Sequence, residues 1–287
     1  MRSWFVIPAM GVACGGAAVA LGLPPVLAVT GAAIAAAIRV RAGESPAALT
    51  GAVLAPLLAV ASFADAGGVA PRAAIALAAA VWTLTELARE DGTPLVAVLP
   101  AAIAGVLDPS FIGLLAIAGV RVAMAPGPRP RWALALPLVG VLAILLAVLA
   151  GTLWPALGVR WFGSVAQPIA PARVAAIAGA TLGPLTAVAA LGGLGDLLRA
   201  RLAELALGAA VAGAILVDLR TAAIGPATIG LAALLAGLAI VRLAAMIRLP
   251  SGQAFVAATM GVLVILPPAW AAVAHRPASA HIAHASR

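Results

Sequence analysis

Residues 132–157, WALALPLVGVLAILLAVLAGTLWPAL, contain no charged side chain and decide the fold class of this chain. At 1.5 Å per residue, a helix over these positions is long enough to cross the ~30 Å hydrocarbon core of a bilayer. Trp132 and Trp154 would stand about 33 Å apart along that helix, one at each membrane interface, where tryptophan is enriched. Backbone amides inside lipid must be satisfied within their own segment, so this stretch is predicted to be a transmembrane helix.

The rest of the chain repeats this pattern. Of its 287 residues, 64% are hydrophobic and 9% are charged, whereas a soluble domain carries about 25% charged residues. The charges stand almost entirely between apolar stretches, which predicts an all-α, polytopic transmembrane helix bundle with about eleven membrane segments. The predicted segments are residues 4–21, 25–38, 46–66, 73–87, 94–107, 111–124, 132–157, 174–194, 202–217, 221–241 and 254–273.

A proline-rich linker divides these segments into two groups. Residues 1–125 form a predicted N-terminal membrane bundle of about six segments, and residues 132–273 a C-terminal bundle of about five. Residues 126–131, PGPRPR, are the predicted cytoplasmic linker, and residues 274–287 a disordered polar tail. Two hairpins, 4–38 and 94–124, are short and broken by proline or glycine.

The arginines predict which side of the membrane each loop occupies. With the N-terminus on the first side, eleven of the seventeen arginines fall on that side and six on the other. Positive charge marks the cytoplasmic side of a membrane protein. We therefore expect a multi-pass protein of a bacterial-type inner membrane, with its N-terminus in the cytoplasm and its C-terminus in the periplasm.

The same count bears on residues 94–124. If they formed one long helix, every later loop would change sides and the split would become nine to eight. The observed bias favours a hairpin broken at Asp108-Pro109, since proline disfavours helix for the residue before it. Two full crossings and a re-entrant pair give the same count, and both remain open.

Composition excludes several chemistries. The chain has no lysine, asparagine or tyrosine and a single cysteine, Cys14, and its three histidines all lie in the tail. We predict no catalytic residue, no cofactor and no metal site, because the membrane segments contain no imidazole or cysteine cluster. The arginines are scattered one to three per loop, so nucleic acid is not an expected partner.

Asp108 and Ser110 are the candidate solute or ion site. In a re-entrant hairpin Asp108 would be the one deep carboxylate, and the flanking helices of about 21 Å are short for full crossings. Transporters place binding sites at such broken helices. The alternative is an ordinary turn and helix start, with Pro109 at the first helical position.

Three further acids are predicted to form ion pairs near helix ends rather than proton relays. The pairs are Glu86 with Arg89, Glu204 with Arg201 or Arg199, and Asp218 with Arg220 in a short outer turn.

These features favour an integral membrane permease-like protein for a small, weakly charged solute. The alternative is a non-catalytic transmembrane subunit of a larger membrane complex, and the third hypothesis is an intramembrane enzyme, which would need convergent polar groups. The expected partners are the lipid bilayer and either a second copy of the chain or the other subunits of a complex.

Overall fold

A computed structural model describes residues 2–89, 94–124, 185–186, 188–190, 202–221 and 224–274. All regular structure in these ranges is helical and none is strand, which confirms the all-α prediction. The predicted segment 132–157, most of 174–194, the linker and the tail beyond residue 274 lie outside the described residues.

The long helices are α1 Val6–Ala20, α2 Leu27–Ala42, α3 Pro46–Asp65, α4 Pro71–Ala88, α5 Pro94–Leu107, α6 Ile112–Met124, α7 Leu202–Thr221, α8 Pro226–Ala245 and α9 Pro250–Ala274. Short 3₁₀ turns, Arg2–Phe5 and Pro109–Phe111, precede α1 and α6.

Proline begins five of these helices: α3, α4, α5, α8 and α9. The first helical position suits proline, because its missing N–H has no partner there and its φ is already helical. At the start of α3 the Ser45 hydroxyl also accepts a hydrogen bond from the Ala48 N–H at 3.1 Å, which caps the helix. Gly43, with φ +74°, ends α2 just before.

The core is held together by small residues at helix crossings. A Cβ on Gly237 of α8 would lie 2.6 Å from Ala55 Cβ of α3 and 2.8 Å from Ile38 Cδ1 of α2. A Cβ on Gly230 would collide with the Leu77 side chain of α4. Backbones approach closely where side chains are this small, which is how helices associate in lipid.

Three contacts fix the directions of the helices. The ion pair between Arg41 and Glu204 brings the end of α2 to the start of α7. Arg121 donates hydrogen bonds to the Leu87 carbonyl oxygen at 2.6 Å and the Arg89 carbonyl oxygen at 2.5 Å, so α6 and α4 end together. We call this the arginine end of the bundle. The close contacts between helices at the glycines place the starts of α3 and α9 at the arginine end as well.

Among the described residues, three helices, α3, α8 and α9, are long and apolar enough to cross a membrane. The outer face of α9 carries large, exposed apolar side chains: Phe255 is 72% exposed and Trp270 is 74% exposed. They are 15 residues, about 22 Å, apart on one helix. This protein is therefore a helix bundle compatible with a membrane environment.

Candidate functional site

The predicted site residues lie in the turn between α5 and α6, residues 108–111, which we call the Asp108 turn. Asp108 Oδ1 accepts a hydrogen bond from the Ser110 N–H at 2.9 Å, and the Asp108 carbonyl oxygen accepts one from the Phe111 N–H at 3.1 Å. The sequence Asp-Pro-Ser thus forms an ordinary turn and helix start. Asp108 is half-buried, and Ser110 is only 3% exposed.

The Asp108 turn stops short of the end of α7, and we call this step between the two elements the recess. The backbone of Ser110 lies so close to Gly213 of α7 that a Cβ at Gly213 would collide with the Ser110 carbonyl oxygen. Gly213 precedes Thr221, the last residue of α7, by eight residues, or about 12 Å of helix. Helices α5 and α6 have 14 and 13 residues against 20 in α7. The short hairpin therefore stops below the end of its neighbour.

A second carboxylate, Asp218, lies on α7, five residues beyond the Gly213 contact with this turn. Asp218 is 7% exposed, and its Oδ1 accepts a hydrogen bond from the Gly225 N–H at 2.8 Å. Asp108 is close enough to act on it electrostatically. Thr228 Oγ1 is buried beside the same carboxylate without a hydrogen bond of good geometry. We call Asp108, Ser110, Asp218 and Thr228 the carboxylate site.

Sequence reasoning missed the burial of Asp218. The predicted segment ended at residue 217 and left Asp218 in an outer turn beside Arg220, whereas α7 continues to Thr221 and buries it. The side chain of Arg220 lies outside the described residues. The sequence signal that could have found it is Gly225-Pro226. A helix that begins at proline leaves the N–H of the preceding residue without a partner in the helix, and a nearby aspartate can accept a hydrogen bond from it.

The arginine end holds the other notable polar groups. Arg41 Nη1 lies 3.0 Å from Glu204 Oε1, with side-chain exposures of 8% and 22%. Arg41 lies three residues beyond the predicted segment 25–38. Burial lowers the pKa of its guanidinium, and the neighbouring Glu204 carboxylate raises that pKa. The predicted partners of Glu204, Arg199 and Arg201, lie outside the described residues, and the partner seen is Arg41.

The predicted pair of Glu86 and Arg89 is present, with 3.6 Å between its charged atoms. We expect Glu86→Gln to leave the folded protein intact, because a partly exposed ion pair contributes about 0–1 kcal/mol. The midpoint of thermal unfolding in detergent should move by less than about 3 °C. A variant that expresses normally but loses activity or assembly would instead make Glu86 a functional relay.

The carboxylate site offers oxygen acceptors and no metal cluster. No group of three His, Cys, Asp or Glu side chains able to hold a metal occurs in the part of the chain that the structure describes. Two carboxylates and two hydroxyls can accept hydrogen bonds from a solute that carries donors or a positive charge.

No protein-family model, no curated protein and no solved structure matches this chain.

Proposed function

We propose that this protein is a membrane permease for a small, weakly charged solute that binds at the carboxylate site. One observation carries the proposal: the Asp108 turn contacts α7 about 12 Å below the end of that helix, and Asp108 is close enough to the buried carboxylate of Asp218 to act on it electrostatically. Charged side chains deep in a membrane bundle are costly and mark solute or ion paths. Asp108 and Asp218 each accept a backbone N–H, and two neighbouring carboxylates favour a solute that carries donors or a weak positive charge.

The membrane topology of this proposal, which we call the frame, has eleven segments, an N-terminus in the cytoplasm and a C-terminus in the periplasm. Helix α6 ends at the arginine end and α7 begins there. An even number of crossings between them satisfies both positions, and the predicted segments 132–157 and 174–194 would supply two. Eleven of the seventeen arginines then lie on the cytoplasmic side, as the positive-inside rule requires.

Reporter fusions test this frame. A fusion at Pro126 should report the cytoplasm and a fusion at Ala278 the periplasm, because five segments separate them. Paired reporters that are active on opposite sides give the measurement, with a fusion after Met124 as the internal control. The same side for Pro126 and Ala278 would show that the C-terminal half has an even number of crossings.

Solute binding is tested by thermal unfolding of the purified protein with small amines, amides and polyols. We expect a small amine to raise the unfolding midpoint by about 5 °C or more at a hundredfold excess over its Kd. Asp108→Asn and Asp218→Asn should each abolish this shift while the protein still folds, since Asn retains an acceptor for the backbone N–H.

The control is Glu44→Gln, which removes an acid whose side chain is 70% exposed at the arginine end. It should leave the shift unchanged. If no solute stabilises the protein, or if both aspartate variants keep the full shift, the carboxylate site does not bind solute.

The second candidate is a non-catalytic subunit of a larger membrane complex. The observation in its favour is the exposed face of α9, with Phe255 and Trp270, which fits a neighbouring subunit as well as lipid. Purification from the native membrane with mass spectrometry separates the two functions. A permease should be recovered alone or with copies of itself, whereas a subunit should bring other proteins at fixed stoichiometry.

A further inference from the structure

Helix α7 is joined to α2 by one ion pair rather than by packing. It packs against α6, the Asp108 turn, α4 and α8, and it shares no extended interface with α2 among the described residues. Arg41 and Glu204 bridge this gap with 3.0 Å between their charged atoms, across 163 residues of sequence. The pair is therefore a direct link between two helices that otherwise share α4 as a neighbour among the described residues.

Stability alone is a poor reason for this pair. Its side chains are 8% and 22% exposed, and the cost of removing two charges from water offsets most of the attraction between them. Apolar side chains of similar size would hold the helices at least as well. The better-attested use of a buried ion pair is to select between alternative arrangements.

The pair also lies at the opposite end of α7 from the carboxylate site. Glu204 is in the first turn of α7, whereas Gly213 and Asp218 line the recess nearer its other end. One side of the helix is open, since Leu205 and Leu216 are 54% and 59% exposed and a Cβ on Gly208 would meet nothing within 4 Å, whereas Leu207 and Ala210 on the other side are buried.

We propose that the Arg41–Glu204 pair is the gate that closes the carboxylate site toward the arginine end. With the pair formed, solute reaches Asp108 from the opposite end of the bundle. With the pair broken, the start of α7 moves away from α2 and opens a path from the arginine end, while the Asp218–Gly225 hydrogen bond keeps the other end of α7 attached to α8. This inference rests on the proposed function.

The test is the accessibility of a cysteine at position 108, measured with a membrane-impermeant cationic thiol reagent. The full chain carries Cys14→Ala, which removes the only native cysteine, and Asp108→Cys. Oriented membrane vesicles expose either the arginine end or the opposite end to the reagent. We expect labelling from the opposite end when the pair is intact and at least tenfold slower labelling from the arginine end.

Breaking the pair should change one of these rates. Arg41→Gln should raise the labelling rate from the arginine end at least tenfold, and the charge exchange Arg41→Glu with Glu204→Arg should return it to the slow value. Glu86→Gln is the matched control, since it removes an acid of another described ion pair at this end and should change neither rate.

The outcomes separate the gate from the proposed function. Labelling from the opposite end with no increase in Arg41→Gln overturns the gate and leaves the site in place. A charge exchange that labels as fast as Arg41→Gln also overturns it, because the pairing would then be irrelevant. If no variant is labelled from either end, the recess is closed to solute and both proposals fail.

Discussion

Replacing Gly237 with leucine is expected to destabilise the bundle more than any other single change described above. A Cβ at this position already lies 2.6 Å from Ala55 Cβ and 2.8 Å from Ile38 Cδ1, both below van der Waals contact. Leucine adds three more carbons where α8 crosses α3 and α2. We expect the free energy of unfolding to fall by about 3 kcal/mol, the upper part of the range for overpacked cores.

The measurement is the midpoint of thermal unfolding in detergent, which should fall by roughly 6–12 °C. Gly16→Leu is the matched control, because a Cβ on Gly16 of α1 meets nothing within 4 Å. The unfolding midpoint of the control should equal or exceed that of the unmodified protein, since leucine has a higher helix propensity than glycine. Equal losses in the two variants would show that the α8 crossing is not closely packed.

Gly213→Ala is expected to displace the Asp108 turn and weaken the carboxylate site. The new Cβ would collide with the Ser110 carbonyl oxygen, which is backbone and cannot rotate away. Either α7 or the turn has to move, and we expect a loss of about 1–3 kcal/mol in the free energy of unfolding. The stabilisation by a small amine should fall at least fivefold, because Asp108 and Asp218 are carried by the two elements that separate.

Gly208→Ala gives the matched control on the same helix. Its Cβ enters open space, so the better helix propensity of alanine should raise stability by up to about 1 kcal/mol. The two substitutions are chemically identical and lie five residues apart, yet they should change the unfolding midpoint in opposite directions. A change of the unfolding midpoint in the same direction for both variants would show that α7 and the turn are not in close contact.

Helix type and most helix ends could be predicted from the sequence. The predicted segment 94–107 coincides with α5, and 46–66 exceeds α3 by one residue. Prolines explain two of the less accurate starts: the predicted segment 221–241 is shifted from α8, which begins at Pro226, and 254–273 misses the first turn of α9, which begins at Pro250. Hydropathy averages over a window, whereas a proline fixes a single first position.

The carboxylate site was only half predictable. Asp108 and Ser110 could be found because an Asp-Pro-Ser break inside an apolar hairpin is a local signal. Asp218 could not be assigned to them, since its approach depends on α7 crossing the hairpin at Gly213. The partner of Glu204 was hidden for the same reason: Arg41 is 163 residues away, and nearer arginines offered a simpler pairing.

The recess of the Asp108 turn has an electrical consequence. In the proposed permease, with the arginine end facing the cytoplasm and α7 ending at the edge of the hydrocarbon core, a cation that enters from the opposite end and stops at this turn has passed about 12 Å of a ~30 Å core, or two-fifths of the voltage drop in a uniform field. Moving one charge across the full field changes its energy by about 2.3 kcal/mol per 100 mV. Binding of a monovalent solute should then change by about 0.9 kcal/mol per 100 mV, so an inside-negative membrane would load this site more fully than a depolarised one.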